Sequence, residues 1–285
     1  MERLFIVLGP VLIAAAFVVL PASGSPAKVR NGQVSFWSDR AGDRAQVYLM
    51  NPDGSRQHAI TRQFSAKRGA FSLDGRRIAF DGRAYDTLFD FDVFVAAASG
   101  RGARRITRGP ERDLMPAWSP DGQTIAFSRQ PAEQDLPDVW LVDVDGSNTR
   151  LLVVGGLAPS WAPNGSRIAF EGLGGVATVL PDGTDMRQLA SGGEPAWSPD
   201  SRRIVFSRGG DIWLMRADGS GQRRLTRTAA EEIEPAFSPD GRWVVFSSDR
   251  TGNKDVFVMR PDGSRVRNLT RHPSDDWATS WQPLR

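Results

Sequence analysis

Residues 234–270 read EPAFSPDGRWVVFSSDRTGNKDVFVMRPDGSRVRNLT, and most of the remaining chain can be laid over this stretch as imperfect copies. The stretch contains four short runs rich in β-branched and aromatic residues, at 235–238, 243–247, 256–260 and 266–270. Pro-Asp-Gly separates two pairs of these runs and supplies a fixed φ followed by a residue that tolerates positive φ. Each copy is therefore predicted to form a four-stranded antiparallel meander.

The copies can be aligned on one aromatic residue in the first run of each. This residue recurs six times, at Phe71, Trp118, Trp161, Trp197, Phe237 and Trp281. The second run recurs as a triplet that ends in phenylalanine, such as Ile125-Ala126-Phe127. A period of about forty residues with four strands per unit is typical of a β-propeller, because a lone four-stranded sheet cannot cover both of its faces. The sequence thus predicts an all-β fold, a six-bladed β-propeller over residues 28–285.

The two ends of the repeat array indicate that the ring is closed. The first copy begins at Gly32 with a second strand, whereas the chain ends in ATSWQPL at 278–284, a first strand without a successor. We expect the C-terminal run to form the innermost strand of the blade begun by residues 33–62. Pairing of this kind also leaves fewer open sheet edges.

The first 27 residues differ from the rest of the chain. A short charged start is followed by an uncharged apolar run at 4–20 and by small residues at 21–27, the pattern of an export signal. Cleavage before Ser25 or Lys28 would release a periplasmic or extracellular protein. The apolar run is also just long enough to remain as an uncleaved membrane anchor.

Composition argues against several classes of function. The net charge of +3 is small for 285 residues, so we expect no nucleic-acid partner. Without cysteine, neither disulfides nor lipid attachment at a cysteine is available. His58 and His272 are the only histidines, and no G-x-S-x-G elbow occurs. We therefore expect no catalytic residues, metal or cofactor, and a monomeric chain.

Two motifs carry a family resemblance. PAWSPDGQTIAF at 116–127 and DVFVMRPDG at 255–263 resemble the WD40-like (PD40) repeat of TolB-type propellers. The resemblance covers nearly the whole chain after residue 31 and implies a six-bladed ring like the C-terminal domain of such periplasmic proteins. No α/β domain precedes the ring in this sequence, in contrast to TolB.

Acidic residues cluster just before the first strands, where the chain crosses from the rim of one blade to the centre of the next. Three are expected to converge near the axis, namely Glu194, Glu234 and Asp276, and five to lie farther out, namely Glu231, Glu232, Asp275, Glu111 and Asp113. Convergence would raise their pKa values and could hold a cation or a basic peptide end. The alternative is a solvated polar rim.

A long insertion in the second blade provides another candidate contact surface. It covers residues 81–90 and carries Tyr85, Leu88 and Phe89, which either form a partner contact or fold down onto the blade. Together these features favour an exported, non-catalytic propeller that binds a protein or peptide in the cell envelope. The alternatives are an enzyme or sugar-binding propeller that uses channel carboxylates, and a purely structural envelope component.

Overall fold

The computed structural model describes residues 29–42, 44–84, 91–131 and 136–284. The predicted export signal and the insertion residues Tyr85, Leu88 and Phe89 lie outside these ranges. Among the described residues, no helix is long and apolar enough to cross a membrane.

The described residues form twenty-four strands, numbered here in chain order. They are β1 (Arg30–Ser38), β2 (Gln46–Met50), β3 (His58–Ala59), β4 (Phe64–Phe71), β5 (Arg77–Ala84), β6 (Asp92–Ala97), β7 (Arg104–Arg105), β8 (Arg112–Trp118), β9 (Thr124–Gln130), β10 (Asp138–Asp143), β11 (Arg150–Val153), β12 (Gly156–Trp161), β13 (Ile168–Gly172), β14 (Gly175–Val179), β15 (Arg187–Ala190), β16 (Gly193–Trp197), β17 (Arg203–Arg208), β18 (Asp211–Arg216), β19 (Arg223–Arg224), β20 (Glu232–Phe237), β21 (Val244–Ser248), β22 (Asp255–Met259), β23 (Arg267–Asn268) and β24 (Asp276–Leu284).

These strands make six four-stranded antiparallel sheets, which confirms the predicted six-bladed propeller. Blade one has the order β24-β1-β2-β3, and each later blade uses four consecutive strands. The predicted closure is therefore also confirmed. The innermost pair, β24 and β1, is antiparallel from Arg30 opposite Leu284 to Ser38 opposite Asp276, with two register shifts on the way.

The core lies between the blades. The phenylalanine of each second strand is fully buried, and the six are Phe36, Phe80, Phe127, Phe170, Phe206 and Phe246. Each apolar cluster joins neighbouring blades; one, for example, packs Val34 and Trp281 of blade one against Val245 and Val258 of blade six. The Asp-Gly segments form the expected turns, in which the aspartate accepts hydrogen bonds two residues on, as Asp240 does from the Arg242 N–H at 3.0 Å.

The first strands of blades two to six contain a β-bulge whose central residue has positive φ. These residues are Arg68, Met115, Ala158, Glu194 and Glu234, with φ between 46° and 56°. In blades three to six, the bulge turns the backbone N–H of its positive-φ residue toward a side chain of the preceding blade. Three such bonds join Met115 N to Asp81 Oδ1, Ala158 N to Ser128 Oγ and Glu194 N to Glu171 Oε2.

Removal of residues 278–285 tests the closure. The deletion takes away Trp281, which is 5% exposed, and leaves β1 as an open edge. We expect a loss of several kcal/mol in the free energy of unfolding, because truncation of one buried tryptophan alone costs about 3–5 kcal/mol. Denaturant unfolding measures this loss against a control chain that lacks only Arg285. Equal stability of the two chains would contradict closure by β24.

Candidate functional site

The first strands surround a central channel with a cavity of about 280 Å³. Its wall is built from the bulged segments, so the positive-φ residues of all five bulges line it. On the loop side of the channel, the only charged residues in this wall are Arg68, Glu194 and Glu234. The opposite opening is lined mainly by tryptophan, phenylalanine and proline around a cavity of about 500 Å³. The polar chemistry of the channel therefore lies on the side that faces the loops.

Glu194 and Glu234 are linked directly. The backbone N–H of Glu234 donates to Glu194 Oε2 at 2.8 Å, and the hydroxyl of Ser207 donates to the same oxygen at 2.7 Å. Glu171 extends this chain into blade four, because its Oε2 accepts the backbone N–H of Glu194 at 3.2 Å. Three carboxylates from three consecutive blades are thus linked in series, of which Glu194 and Glu234 line the channel and Glu171 does not.

The Glu234 carboxylate has only long contacts among the described residues. Its nearest cation is Arg68, with 3.6 Å between Nε and Oε1, and its contact with the Ser247 hydroxyl is 3.4 Å. Burial raises the pKa of Glu234 to about 7; Arg68 opposes this shift and the negative charge of Glu194 adds to it. Glu234 therefore titrates near neutral pH at the wall of the channel.

Glu171 and Asp81 show the same effect of burial. Desolvation raises the pKa of Glu171, and the Glu194 charge adds to the rise. Burial also raises the pKa of Asp81, whose Oδ2 has no hydrogen-bond partner among the described residues. Sequence reasoning missed both residues. The sequence does mark them. Each directly follows the phenylalanine of a second strand, a position that three other repeats fill with serine, namely Ser128, Ser207 and Ser247.

Asp276 does not join the inner pair, which corrects the expected convergence of three carboxylates. It is fully buried and forms an ion pair with Arg40 at the start of β24. The reason is register: Asp276 stands five residues before Trp281, whereas Glu194 and Glu234 stand three residues before their aromatics. Ala278 occupies the equivalent inner position and donates its N–H to Ser247 Oγ at 2.8 Å.

Asp113 and Glu232 share the position of Asp276. Each is buried and paired with an arginine from the end of the second strand, Asp113 with Arg129 at 2.7 Å and Glu232 with Arg250. The arginines lie over aromatic rings, as Arg129 does over Trp140 at 4.8 Å from the ring centroid. These acids contribute to the blade structure and do not present a free charge at the channel mouth.

The remaining acids lie at the rim. Glu231 is 59% exposed and accepts from Lys254 Nζ at 2.7 Å, and Asp275 Oδ1 accepts the Lys254 backbone N–H at 2.9 Å. Glu111 is partly buried near Arg129, and its charge adds slightly to the rise in the pKa of Arg129 that Asp113 causes. Within the described part of the chain, no group of three or more His, Asp or Glu residues could hold a metal ion.

Fold and channel define the class of this protein as a six-bladed propeller with four-stranded blades and an acidic channel mouth. A family model for the TolB beta propeller domain matches residues 65–208, just over half of the chain, and the model for the Tricorn protease N-terminal beta propeller domain matches residues 194–284. The chain belongs to the TolB β-propeller family.

Individual relatives match parts of the chain. The Tol-Pal system protein TolB of Anaeromyxobacter dehalogenans (strain 2CP-C) is 36% identical over 89 residues, which make up 31% of this chain and 17% of that protein. The crystal structure of TolB from Acinetobacter baumannii has a TM-score of 0.75 at 18% identity and covers 88% of this chain and 66% of that one. The structure of a putative TolB from Agrobacterium tumefaciens has a TM-score of 0.66 at 20% identity. This match covers 90% of this chain and 99% of that one. These structural similarities show a shared fold.

Because folding shifts the pKa of Glu234, we expect the free energy of unfolding to depend on pH. Folding raises this pKa from its ordinary value of 4.5 to about 7, so the folded state binds the proton more tightly than the unfolded state. Stability from this group is therefore fully present below about pH 4.5 and falls as the pH rises to about 7. The unfolding free energy of wild type should decrease between about pH 5 and about pH 8. In Glu234→Gln this decrease should be smaller than in wild type by about 2–4 kcal/mol.

Urea unfolding across this pH range makes the measurement. Asp39→Asn is the matched control, because it removes an exposed carboxylate that forms no ion pair among the described residues. An identical pH dependence in wild type and Glu234→Gln would show that Glu234 does not titrate in this range.

Proposed function

We propose that this chain is an exported, non-catalytic propeller of the cell envelope that binds a basic segment of another protein at the channel mouth. The observation that carries the proposal is the pair Glu194 and Glu234, which is open to the channel and has only the distant Arg68 as a counter-charge. The partner's envelope location is motivated by the Tol-Pal system name of the relative described above.

The hydrogen bonds of Glu194 support binding over acid–base chemistry. Its Oε2 accepts from the Glu234 N–H and from the Ser207 hydroxyl, so proton transfer through this oxygen would disturb a contact between two blades. Glu234 retains the capacity to respond to a ligand. A cationic group placed beside it favours the charged carboxylate and releases the proton, so affinity should increase as the pH rises through about 7.

A photo-crosslinker at position 279, on β24 in the channel wall, tests the binding site in intact envelopes. Glutamine keeps the oxygen that accepts the interblade hydrogen bond, so the double variant Glu194→Gln, Glu234→Gln should fold and yet lose most of the crosslinked product. The loss should resemble that caused by raising the salt concentration in wild type. A crosslinker at Ser201, on the opposite side of the ring, should not trap the same partner.

Asp39→Asn serves as the control for charge alone, because it removes one exposed negative charge from the loop side and breaks no ion pair among the described residues. If the double variant is crosslinked as efficiently as wild type at low salt, the channel carboxylates do not bind the partner.

Export has its own test. We expect the mature protein outside the cytoplasm in soluble form, with an N-terminus near Ser25 or Lys28, because small residues precede both positions. Cell fractionation followed by mass spectrometry of the intact protein measures this. Recovery only from membranes with Met1 retained would instead identify the apolar run at 4–20 as an anchor.

A further inference from the structure

A second cavity, of about 530 Å³, opens on the loop side between blades one and two. It differs from the channel in both charge and composition. Three cationic side chains, Lys67, Arg83 and Arg112, line it together with the rings of Trp37, Phe91 and Trp277. Two carboxylates, those of Asp39 and Asp275, are also present. Lys67 and Arg112 form no ion pair among the described residues, so these two cations could receive an anionic group.

Two stacked indoles form the wall of this cavity at the point where the ring closes. Trp37 of β1 and Trp277 of β24 are register partners, with ring centroids 5.1 Å apart and planes 1° apart. A lysine lies over each ring: Lys67 Nζ is 4.6 Å from the Trp37 centroid, and Lys254 Nζ is 5.7 Å from the Trp277 centroid. The stack thus carries one ammonium group on each indole.

The two lysines differ in their counter-charges. Lys254 donates to Glu231 at 2.7 Å and to Asp249 at 3.3 Å, so its charge is compensated within the fold. Lys67 forms no ion pair with any residue in the described ranges. Burial lowers the pKa of Lys67, and the positive charge of Arg68 lowers it further. The half-buried Lys67 ammonium thus lies on the wall of an open cavity without a close ion pair of this kind, and the Asp81 and Glu234 charges that raise its pKa act without one.

We propose that this cavity binds a carboxylate side chain of an acidic protein segment, with Lys67 Nζ as the hydrogen-bond donor and Arg112 as a second positive charge. A carboxylate beside Lys67 would supply the missing counter-ion in a site where partial burial strengthens the interaction. This site is separate from the carboxylate pair of the channel and takes a ligand of the opposite charge.

The aromatic rings distinguish an acidic peptide from an acidic sugar. Sugars bind proteins by stacking on a free aromatic face, but Trp37 already has Trp277 and Lys67 over its ring. Phe91 has Arg83 over its ring at 5.4 Å and Arg112 at 5.6 Å. The cavity therefore offers cations held against rings, and the carboxylate is the group that it can recognise.

Titration of the full chain with a short glutamate-rich peptide tests the proposal, and the same peptide with glutamine in place of glutamate is the ligand control. We expect saturable shifts of the indole N–H signals of Trp37 and Trp277 with the glutamate peptide alone. Lys67→Met should weaken this binding about tenfold or more, while Lys67→Arg should retain most of it. Added salt should weaken binding to wild type.

Arg227→Met is the matched control variant, because Arg227 is exposed in the segment after β19 and its loss changes the net charge equally. Its affinity for the glutamate peptide should equal that of wild type. Thermal unfolding of Lys67→Met checks that the variant remains folded, because Lys67 also offsets part of the charge of the buried Asp81.

Three results would overturn the proposal: equal weakening in Lys67→Met and Arg227→Met, equal binding of the glutamine peptide, or binding of an oligogalacturonate but not of the peptide. The test is independent of the channel, because it uses a probe of opposite charge and different residues. If the glutamate peptide does not bind at Lys67, the proposal that Glu194 and Glu234 bind a basic segment is unaffected and is tested by the crosslinking experiment.

Discussion

The ring depends on one hydrogen bond that recurs between neighbouring blades. A bulged first strand places a residue in the left-handed region, which turns its N–H toward the preceding blade. For Met115, Ala158 and Glu194 the acceptor is the residue that follows the second-strand phenylalanine, a serine hydroxyl for Ala158 and a carboxylate for the other two. The N–H of Glu234 instead donates to Glu194 of the preceding first strand. A buried N–H without an acceptor costs about 1–3 kcal/mol, so these contacts require a polar side chain beside the channel.

This requirement explains why carboxylates lie in a partly buried channel. Glu171 is positioned as an acceptor, and Glu194 both donates its N–H to Glu171 and accepts the N–H of Glu234. Glu234 ends this series. Its carboxylate has only longer contacts, at 3.4 Å to Ser247 and 3.6 Å to Arg68, and burial raises its pKa to about 7. The same geometry that joins blades four, five and six thus leaves the carboxylate of Glu234 without a further N–H donor among the described residues.

The fold could be predicted from the sequence because its determinants are local and repeated. The repeated aromatic positions and Asp-Gly turns predict six blades. The incomplete first and last copies predict that the C-terminal strand closes the ring. The site could not be predicted as well, because it depends on register within a bulge. Asp276 lies two residues too early to reach the channel and pairs with Arg40. Asp81 and Glu171 could not be predicted from the acidic segments that precede the first strands, because both lie in second strands, at a position where other repeats have serine.

The positions of the charges divide the loop side of the ring into two halves. Lys67, Arg83 and Arg112 lie around blades two and three, whereas Glu171, Glu194 and Glu234 belong to blades four, five and six. Arg68 forms the boundary, because it follows Lys67 in β4 and faces Glu234 across the channel. Opposite charges on two halves of one surface favour a single orientation of a bound partner, since the reversed orientation brings like charges together. The closed ring keeps these halves at a fixed separation, so a partner that carried both charges would have to match that one spacing.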